Sequence, residues 1–297
     1  MLARVAVAEG ASPTLAAEAA LIKRQTIYRR AVATPRCPKP IKAAPVIEET
    51  VVDPFRHSVE EAIVIICRRR VAFGYRRVWA MLRRAGYKVN RKRVHRLMKA
   101  WGFLRVAKRR HPKRQGRPFD VTKPNELWQT DLTAVWCGED GWAYMTAVVD
   151  TYCRSILGWT FTRRCRAQDV IGSLEQAWAL AWPYGRPDDQ PRVVLRHDNG
   201  TQFTSYLYRD VAAALDVKLS RTAYRHPDGN AFIERTFLSL KTECVWPEEF
   251  ETFEQAQEAI AAWVVHFNTE RPHQSLGYAT PEEVRRASIG NPTLTAA

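Results

Sequence analysis

Three acidic residues stand in settings where a carboxylate needs a partner. Asp131 lies within the apolar segment LWQTDLTAVW, and a buried strand rarely holds a carboxylate without a hydrogen-bond donor or a metal ion. Asp198 ends the apolar run VVLRHD, and Glu234 lies early in the helical segment NAFIERTFLSLKTE. Singly, these residues could be a strand Asp held by backbone donors, a turn residue before Asn-Gly and a surface Glu. Together, three convergent carboxylates would repel one another unless divalent cations lay between them.

The chemistry expected of such a cluster is phosphoryl transfer assisted by metal ions. Hard carboxylate oxygens prefer Mg²⁺ or Mn²⁺ to zinc. Two such ions about 4 Å apart can activate a water molecule or a 3′-hydroxyl group and stabilise the leaving oxygen at a phosphodiester. We therefore expect Asp131, Asp198 and Glu234 to be the catalytic acids and the ligands of two Mg²⁺ or Mn²⁺ ions.

The segments around these acids predict an α/β domain over residues 120–290. Three segments with a period of two, LWQTDLTAVW, WAYMTAVVD and SILGWTFT, predict a meander of strands, after which helix and strand alternate. Asp198 would leave the fourth strand at its carboxyl end, where ligands bind in open α/β sheets. This is the order of the ribonuclease H fold, a mixed sheet with flanking helices.

A DNA-binding region is predicted before the sheet, over residues 46–104. Ser58 and Glu61 are spaced as a capping box for a first helix. Gly86 would end a second helix, and Asn90 would cap a third. A tight turn before a basic third helix favours an all-α helix-turn-helix domain, with a helical bundle that only grips phosphate as the alternative. Sequence alone leaves base contacts and phosphate contacts as open alternatives. The candidate DNA-binding residues of this region are Arg76, Arg77, Arg91, Lys92, Arg93 and Arg96.

The charge of the chain is unevenly distributed. The formal net charge is +15, but residues 62–119 hold 20 Lys or Arg and no acid, whereas residues 120–297 hold 17 basic and 24 acidic residues. Positive charges at this density would repel one another unless a polyanion lay alongside, which indicates nucleic acid as the partner. Residues 105–119 are expected to be a basic linker that lies along DNA. Residues 1–45 are expected to be short helices, with a second helix-turn-helix as one option, and a Pro-rich linker.

The sequence also argues against several other classes of protein. No apolar run approaches the roughly 18 residues of a membrane span. The N-terminus has no basic region followed by an apolar block, so no secretory signal is expected. The six cysteines are scattered without metal-ligand spacing, which favours free thiols in a reducing cytoplasm.

Four motifs resemble those of a known family. WQTDLT, RHDNGTQF and NAFIERTFLSLK resemble the D, D, E motifs of the integrase catalytic core shared by retroviral integrases and many transposases. The 35 residues between Asp198 and Glu234 match the interval in that family's signature. GYRRVWAMLRRAGYKVNRKRVHRLMKAWG and the tail HFNTERPHQSLGYATPEE resemble the helix-turn-helix and the closing segment of insertion-sequence transposases of the IS-three type. The likeness covers about residues 56–285.

This resemblance implies a DNA transposase that frees a 3′-hydroxyl group and transfers it to a second strand. It implies Asp131, Asp198 and Glu234 as metal ligands and catalytic acids, and Lys241 as a DNA contact near the scissile phosphate. Asn230 lies on the same helix face as Lys241 and is a further DNA-binding candidate. The tail residues that fit the motif are expected to be structural or DNA-positioning: Asn268, Arg271, Pro272 and His273.

The expected partners are double-stranded DNA, as terminal inverted repeats and as target, and further copies of the chain on that DNA. The resemblance also implies the protein of an overlapping upstream reading frame, because this chain resembles a downstream-frame product. Bacterial cytoplasm is the expected location, at the nucleoid when bound to DNA. The alternatives are a nuclease that cleaves strands without joining them, and a domesticated DNA-binding protein.

Overall fold

The computed structural model describes residues 52–104, 121–221 and 230–289, which all belong to one compact unit, residues 44–297. The predicted regions 1–45 and 105–119 lie outside the described residues. The helices are α1 (Val59–Arg69), α2 (Tyr75–Arg84), α3 (Arg91–Ala100), α4 (Ala167–Ala181), α5 (Thr201–Thr204), α6 (Tyr206–Ala214), α7 (Ala231–Leu240), α8 (Phe253–Thr269) and α9 (Pro281–Ile289). The strands are β1 (Leu127–Trp136), β2 (Trp142–Asp150), β3 (Ile156–Thr162), β4 (Val194–His197) and β5 (Lys218–Arg221).

Helices α1 to α3 form a small helix-turn-helix domain around one apolar cluster. Val78 and Leu82 of α2 and Val94 and Met98 of α3 are fully buried beside Ile63 of α1. Apolar residues three and four positions apart give each helix one buried face, and the basic residues between them are left on the outer faces.

Capping residues set the ends of these helices. The Oγ of Ser58 accepts from the backbone N–H of Glu61, whose carboxylate accepts from the backbone N–H of Ser58 at 2.7 Å. The side chain of Asn90 accepts from the backbone N–H of Lys92 at 2.8 Å. Gly86 follows α2 with φ of 94°, a left-handed conformation that favours glycine. The predicted caps and the predicted helix end are confirmed.

Five strands form one mixed sheet in the order β3-β2-β1-β4-β5. Strands β1, β2 and β3 are an antiparallel meander, and β4 runs parallel to both β1 and β5. Helices α4 and α6 bury one face of the sheet, and α7 and α8 bury the other. The predicted ribonuclease H-like sheet with flanking helices, preceded by an all-α helix-turn-helix, is confirmed.

Helix α4 lies very close to β3 at Gly158. A Cβ atom there would lie 2.6 Å from the backbone nitrogen of Ala177 and closer still to the carbonyl oxygen of Ser173. Because backbone atoms cannot give way as a flexible side chain can, this packing requires glycine. Asn268 of α8 holds the start of the same strand, accepting from the N–H of Ile156 and donating to its carbonyl oxygen, both at 2.9 Å.

Three helical features differ from the expectation. The helix expected at SYLYRDVAAALDV is preceded by a short helix, α5, that was not predicted; Ser205 between them is extended, and its Oγ accepts from the backbone N–H of Tyr208 to begin α6. Helix α7 continues into a π-helical turn, Lys241–Val245, in which the carbonyl oxygen of Lys241 accepts from the N–H of Trp246 at 2.7 Å. Helix α9 in the tail was not predicted.

Candidate active site

The register of β1 and β4 brings Asp131 and Asp198 side by side. The parallel pair matches Gln129 with Arg196, and the two acids each lie two residues further along the chain. Neighbouring strands lie about 4.8 Å apart, and residues two apart point to the same face. Both carboxylates are half-buried. Two of the three predicted acids therefore meet at the centre of the sheet.

Gln129 holds the helix that carries the third acid. Its Oε1 accepts from the backbone N–H groups of Phe232 at 3.1 Å and Ile233 at 3.2 Å. These N–H groups belong to the first turn of α7, where no helical acceptor exists. Gln129 is fully buried and points to the same side of β1 as Asp131, so the first turn of α7 is fixed beside the acids. Glu234 is the next residue of α7 and its side chain is exposed.

The three carboxylates influence one another electrostatically. Burial, and then the charges of Asp198 and Glu234, raise the pKa of Asp131 to about 6, against the effect of a hydrogen bond from the N–H of Leu132. Asp131 accepts that bond at 2.8 Å, and Asp198 accepts one from the N–H of Gly200 at 2.9 Å, each with a single oxygen. Among the described residues, nothing donates to the second oxygen of Asp131 or to the second oxygen of Asp198. These two oxygens therefore remain available to a cation.

This donor set fits a hard divalent cation, although the three side chains do not form a closed ligand group. In the described ranges, no three His, Cys, Asp or Glu side chains are grouped closely enough to hold a metal ion. Glu234 is the exposed member, and an exposed side chain changes rotamer readily. Oxygen ligands of this kind suit Mg²⁺ or Mn²⁺.

A fourth acid of the sheet, Asp150, serves the fold. It is fully buried at the end of β2, and its carboxylate accepts from the backbone N–H groups of Asn125 and Tyr152 at 2.7 Å and of Cys153 at 3.2 Å. These three bonds satisfy both oxygens and fix the turn after β2. Asp131 makes one such bond, so hydrogen bonding separates a structural acid from a candidate catalytic one.

The two other predicted residues of this helix are placed differently. Lys241 begins the π-helical turn two turns after Glu234 and is half-buried. Asn230 precedes α7 and is only 5% exposed, so it lies against the protein rather than open to solvent. A role in binding DNA stays a prediction for both residues.

Most of the predicted DNA-binding residues of the helix-turn-helix domain are exposed. One of them, Arg93, also pairs with Glu60 at 2.7 Å. Arg77 is the exception, because it points to the sheet domain and is 29% exposed. The exposed members of the set are Arg76, Arg91, Lys92, Arg93 and Arg96.

Charged pairs join the helix-turn-helix domain to the part of the chain from 121 to 289, here called the catalytic core. Trp79 of α2 also packs edge-on against Tyr278 of the tail, with ring centroids 5.6 Å apart. Several of the positive charges that suggested a nucleic-acid partner are therefore balanced by the core itself. The pairs are Arg70–Glu270 at 3.1 Å, Arg77–Glu243 at 3.3 Å and Arg84–Glu283 at 2.6 Å.

The most buried of these contacts centres on Glu243 in the π-helical turn. Arg271 donates to it from Nε at 2.9 Å and from Nη2 at 2.7 Å, and the two side chains are 3% and 7% exposed. Burial alone would raise the pKa of Glu243, but the hydrogen bonds and charge of Arg271 and the charge of Arg77 outweigh it, so the pKa is lowered. Glu243 thus joins Arg77 of α2 and Arg271 of the tail to the helical segment that carries Glu234.

Sequence reasoning did not single out two arginines beside the site. Arg154 has a left-handed backbone, φ 65°, and its guanidinium carbon lies 3.4 Å from the ring centroid of Phe232. Arg235 is the exposed neighbour of Glu234 on α7. No spacing pattern marks either residue, because Arg154 meets α7 only in the folded chain and a helix Arg is ordinarily a surface residue.

Comparison with known families gives matches along most of the chain. The family described as integrase core domain matches residues 121–227 and 215–281, and the family described as HTH-like domain matches residues 56–111. The transposase for insertion sequence element IS904 of Lactococcus lactis subsp. lactis (strain IL1403) is 28% identical over 228 residues, 72% of this chain and 87% of the relative. The protein named as transposase for insertion sequence element IS986/IS6110 of Mycobacterium tuberculosis (strain CDC 1551 / Oshkosh) is 31% identical over 233 residues, 72% of this chain and 82% of the relative.

Two solved structures are similar to this chain at low sequence identity. A chain in the cryo-EM structure of the simian T-cell lymphotropic virus intasome with PP2A regulatory subunit B56 gamma has a TM-score of 0.49 and 19% identity, covering 71% of this chain and 72% of that one. The HTLV-2 integrase catalytic core domain in complex with magnesium (trimeric form) has a TM-score of 0.43 and 18% identity, covering 55% of this chain and 98% of that one.

Proposed function

This chain belongs to the family of insertion-sequence transposases with an integrase core, and on that premise we propose that it cleaves a DNA strand and transfers the resulting end to a second strand. The reaction is metal-dependent, and Asp131, Asp198 and Glu234 carry it. The observation that supports this most strongly is the register of β1 and β4, which sets two carboxylates beside each other with Glu234 on the adjoining helix.

The three acids have distinct positions in the proposed site. Asp131 lies on β1 and Asp198 directly follows β4, and the oxygens that no described donor occupies would hold a cation. Glu234, in the first turn of α7, would complete the ligand set by a change of rotamer. Bound as a pair, Mg²⁺ or Mn²⁺ ions supply activation of the attacking oxygen and charge stabilisation at the phosphodiester.

The proposed chemistry has two displacements at phosphorus. In the first, a water oxygen replaces the 3′-oxygen of the element's end and leaves a free 3′-hydroxyl group. In the second, that hydroxyl displaces a strand oxygen in another DNA segment, so one phosphodiester forms as one breaks and no external energy source is needed. No covalent bond between protein and DNA is expected, because no Tyr or Ser nucleophile motif stands out in the sequence.

The helix-turn-helix domain holds the DNA in this proposal. The exposed basic residues of α3 suit a helix in the major groove, and Lys241 suits a contact near the scissile phosphate. The DNA partners are terminal inverted repeats and a target, and joining two ends requires more than one copy of the chain on the DNA. The upstream-frame protein is a further proposed partner, with the bacterial nucleoid as the place of action. No helix in the described ranges is long and apolar enough to span a membrane.

A single substitution tests the assignment. Glu234→Gln removes one ligand charge from an exposed side chain, and Glu258→Gln makes the same change at an exposed position of α8. With DNA that carries the element's ends, a target plasmid and Mg²⁺, we expect the first variant to lose both cleavage and joining and the second to keep both.

The outcome also separates the alternative functions. Full joining activity in Glu234→Gln overturns the assignment. A wild-type protein that releases nicked DNA without joined product in excess target is a nuclease. A wild-type protein that binds ends without cleaving them, and binds equally after each acid is replaced by its amide, is a DNA-binding protein only.

A further inference from the structure

A cleft of about 620 Å³ lies where the helix-turn-helix domain meets the catalytic core. Its walls come from the start of α2, the loop between β2 and β3, one side of α7 and the segment after α8. Five arginines line this arginine cleft, and no carboxylate from the described residues does: Arg76, Arg77, Arg154, Arg235 and Arg271.

Fewer negative than positive charges lie near the arginine cleft: Asp150 acts on Arg154, and Glu234 adjoins Arg235 on α7. Glu243, outside the lining, is shared between Arg77 and Arg271. Burial, followed by the charge of Arg271, lowers the pKa of Arg77 to about 10, and Arg235 adds to this effect. His273 adds no charge at neutral pH, because burial and then the charges of Arg271 and Arg77 lower its pKa to about 3. The cleft therefore presents an excess of positive charge.

Arg154 contributes a charged guanidinium group that is not fully hydrogen-bonded within the described structure. Its Nη1 is buried and has no hydrogen-bond partner in the described structure. Burial lowers the pKa of Arg154 to about 10, so the side chain is still charged at neutral pH. The half-buried guanidinium group as a whole lines the cleft, so its charge favours an anion there.

The N-terminus of α2 adds to the positive potential. The N–H groups of Tyr75 and Arg76 have no acceptor within the helix, because they belong to its first turn. Gly74, which precedes the helix, has no side chain that could accept from them. All three residues line the arginine cleft. The helix dipole and these N–H groups favour an anion at this position.

We propose that the arginine cleft binds the sugar–phosphate backbone of DNA, without regard to base sequence, between the helix-turn-helix domain and the acids. Guanidinium groups bind phosphate oxygens through paired hydrogen bonds. Arg235 and Glu234 are consecutive on α7, so a strand held in the cleft lies close to the candidate acids. This inference rests on the proposed function, since it names where the substrate of that reaction is held.

The salt dependence of binding tests the arginine cleft directly. Binding of the full chain to a mixed-sequence duplex is measured over a series of salt concentrations without divalent cations. Each phosphate neutralised contributes about −0.9 to the slope of log K against log salt concentration, so Arg154→Ala/Arg235→Ala should flatten the slope by about 1.8. Arg235→Ala alone, an exposed position, should flatten it by about 0.9 even if the double variant proves unstable.

Two sets of controls make the result specific. Arg192→Ala/Arg286→Ala removes the same charge at exposed positions outside the cleft and should leave the slope unchanged. Arg154→Lys/Arg235→Lys keeps the charge and should keep the slope, while affinity falls because lysine cannot form the paired bonds of arginine. The proposal is refuted if the slope of log K against log salt concentration is equal in wild type and Arg235→Ala. It is also refuted if the cleft binds inorganic phosphate but not the duplex.

Failure of this inference is distinguishable from failure of the proposed function. An unchanged slope, with cleavage that depends on Glu234, removes the arginine cleft and leaves the reaction in place. A flattened slope, with full activity in Glu234→Gln, keeps the cleft and removes the catalytic assignment. A wild-type chain that does not bind the duplex at all removes both.

Discussion

Replacing Glu243 by Gln removes the negative charge that two arginines share where α2 meets the catalytic core. Arg271 would keep its bond to the Oγ of Ser239 at 3.0 Å, and Gln could still accept one bond. The charge of a guanidinium that is 3% exposed would then lack its partner. Breaking a buried ion pair costs about 3–5 kcal/mol, and the surviving bonds favour the lower end, about 3 kcal/mol.

The pH dependence follows from the lowered pKa of Glu243. A carboxylate whose pKa is lower in the folded chain stabilises the fold above its ordinary value of 4.5, and that stability is lost as pH falls through the folded value. The difference in the free energy of unfolding between wild type and Glu243→Gln should therefore be full at pH 7, begin to shrink as pH falls below about 4.5, and disappear below the lowered pKa of the folded chain.

Urea unfolding followed by tryptophan fluorescence and by circular dichroism measures this difference. Glu248→Gln, an exposed position five residues later, is the matched control and should match wild type. We also expect the two probes to separate in Glu243→Gln, because the helix-turn-helix domain loses its most buried attachment to the core. A loss below about 1 kcal/mol in Glu243→Gln, or an equal loss in the control, would refute the reasoning, since exposed charge changes cost that little.

Two further predictions concern the sheet. Asp131→Asn should abolish cleavage yet raise the Tm of the metal-free protein at pH 7, because burial and neighbouring charges raise the pKa of Asp131 to about 6. That advantage should vanish below about pH 4, where the wild-type carboxyl is protonated in both states, and Mg²⁺ should raise the Tm of wild type alone in a thermal-shift assay. Gly158→Ala should lower the free energy of unfolding by about 1–3 kcal/mol, because its Cβ would meet the backbone of α4. Gly172→Ala meets only the methyl group of Thr160, at 3.1 Å, and should cost less in the same denaturation assay; equal losses would contradict this account.

The helices and strands could largely be predicted from local sequence patterns, because apolar spacing and capping residues determine where such elements form. The alternation of apolar residues found β1, β2 and β3, and the cap at Asn90 found the start of α3. The short helix α5 was not predicted, because its four residues are too few to show a helical spacing of apolar residues. The predicted catalytic roles stay predictions, although the sheet brings Asp131 and Asp198 together.

Long-range electrostatics could not be predicted from local patterns. Glu243 and Arg271 are 28 residues apart, and nothing in either local sequence indicates that they pair. The basic run of residues 62–119 suggested a nucleic-acid partner for all of its charge. Folding instead pairs Arg70, Arg77 and Arg84 with core carboxylates.

The short strand β4 limits which changes in chain length the protein can accept. Its four residues fix the position of Asp198 along the sheet relative to Asp131. Helix α5 begins only three residues after Asp198. One residue added between 194 and 198 would carry the acid about 3.3 Å along the strand and turn it to the opposite face of the sheet. The exposed connection from 183 to 192 can absorb the same insertion without moving either acid. Length variation should therefore be tolerated before β4 and excluded within it.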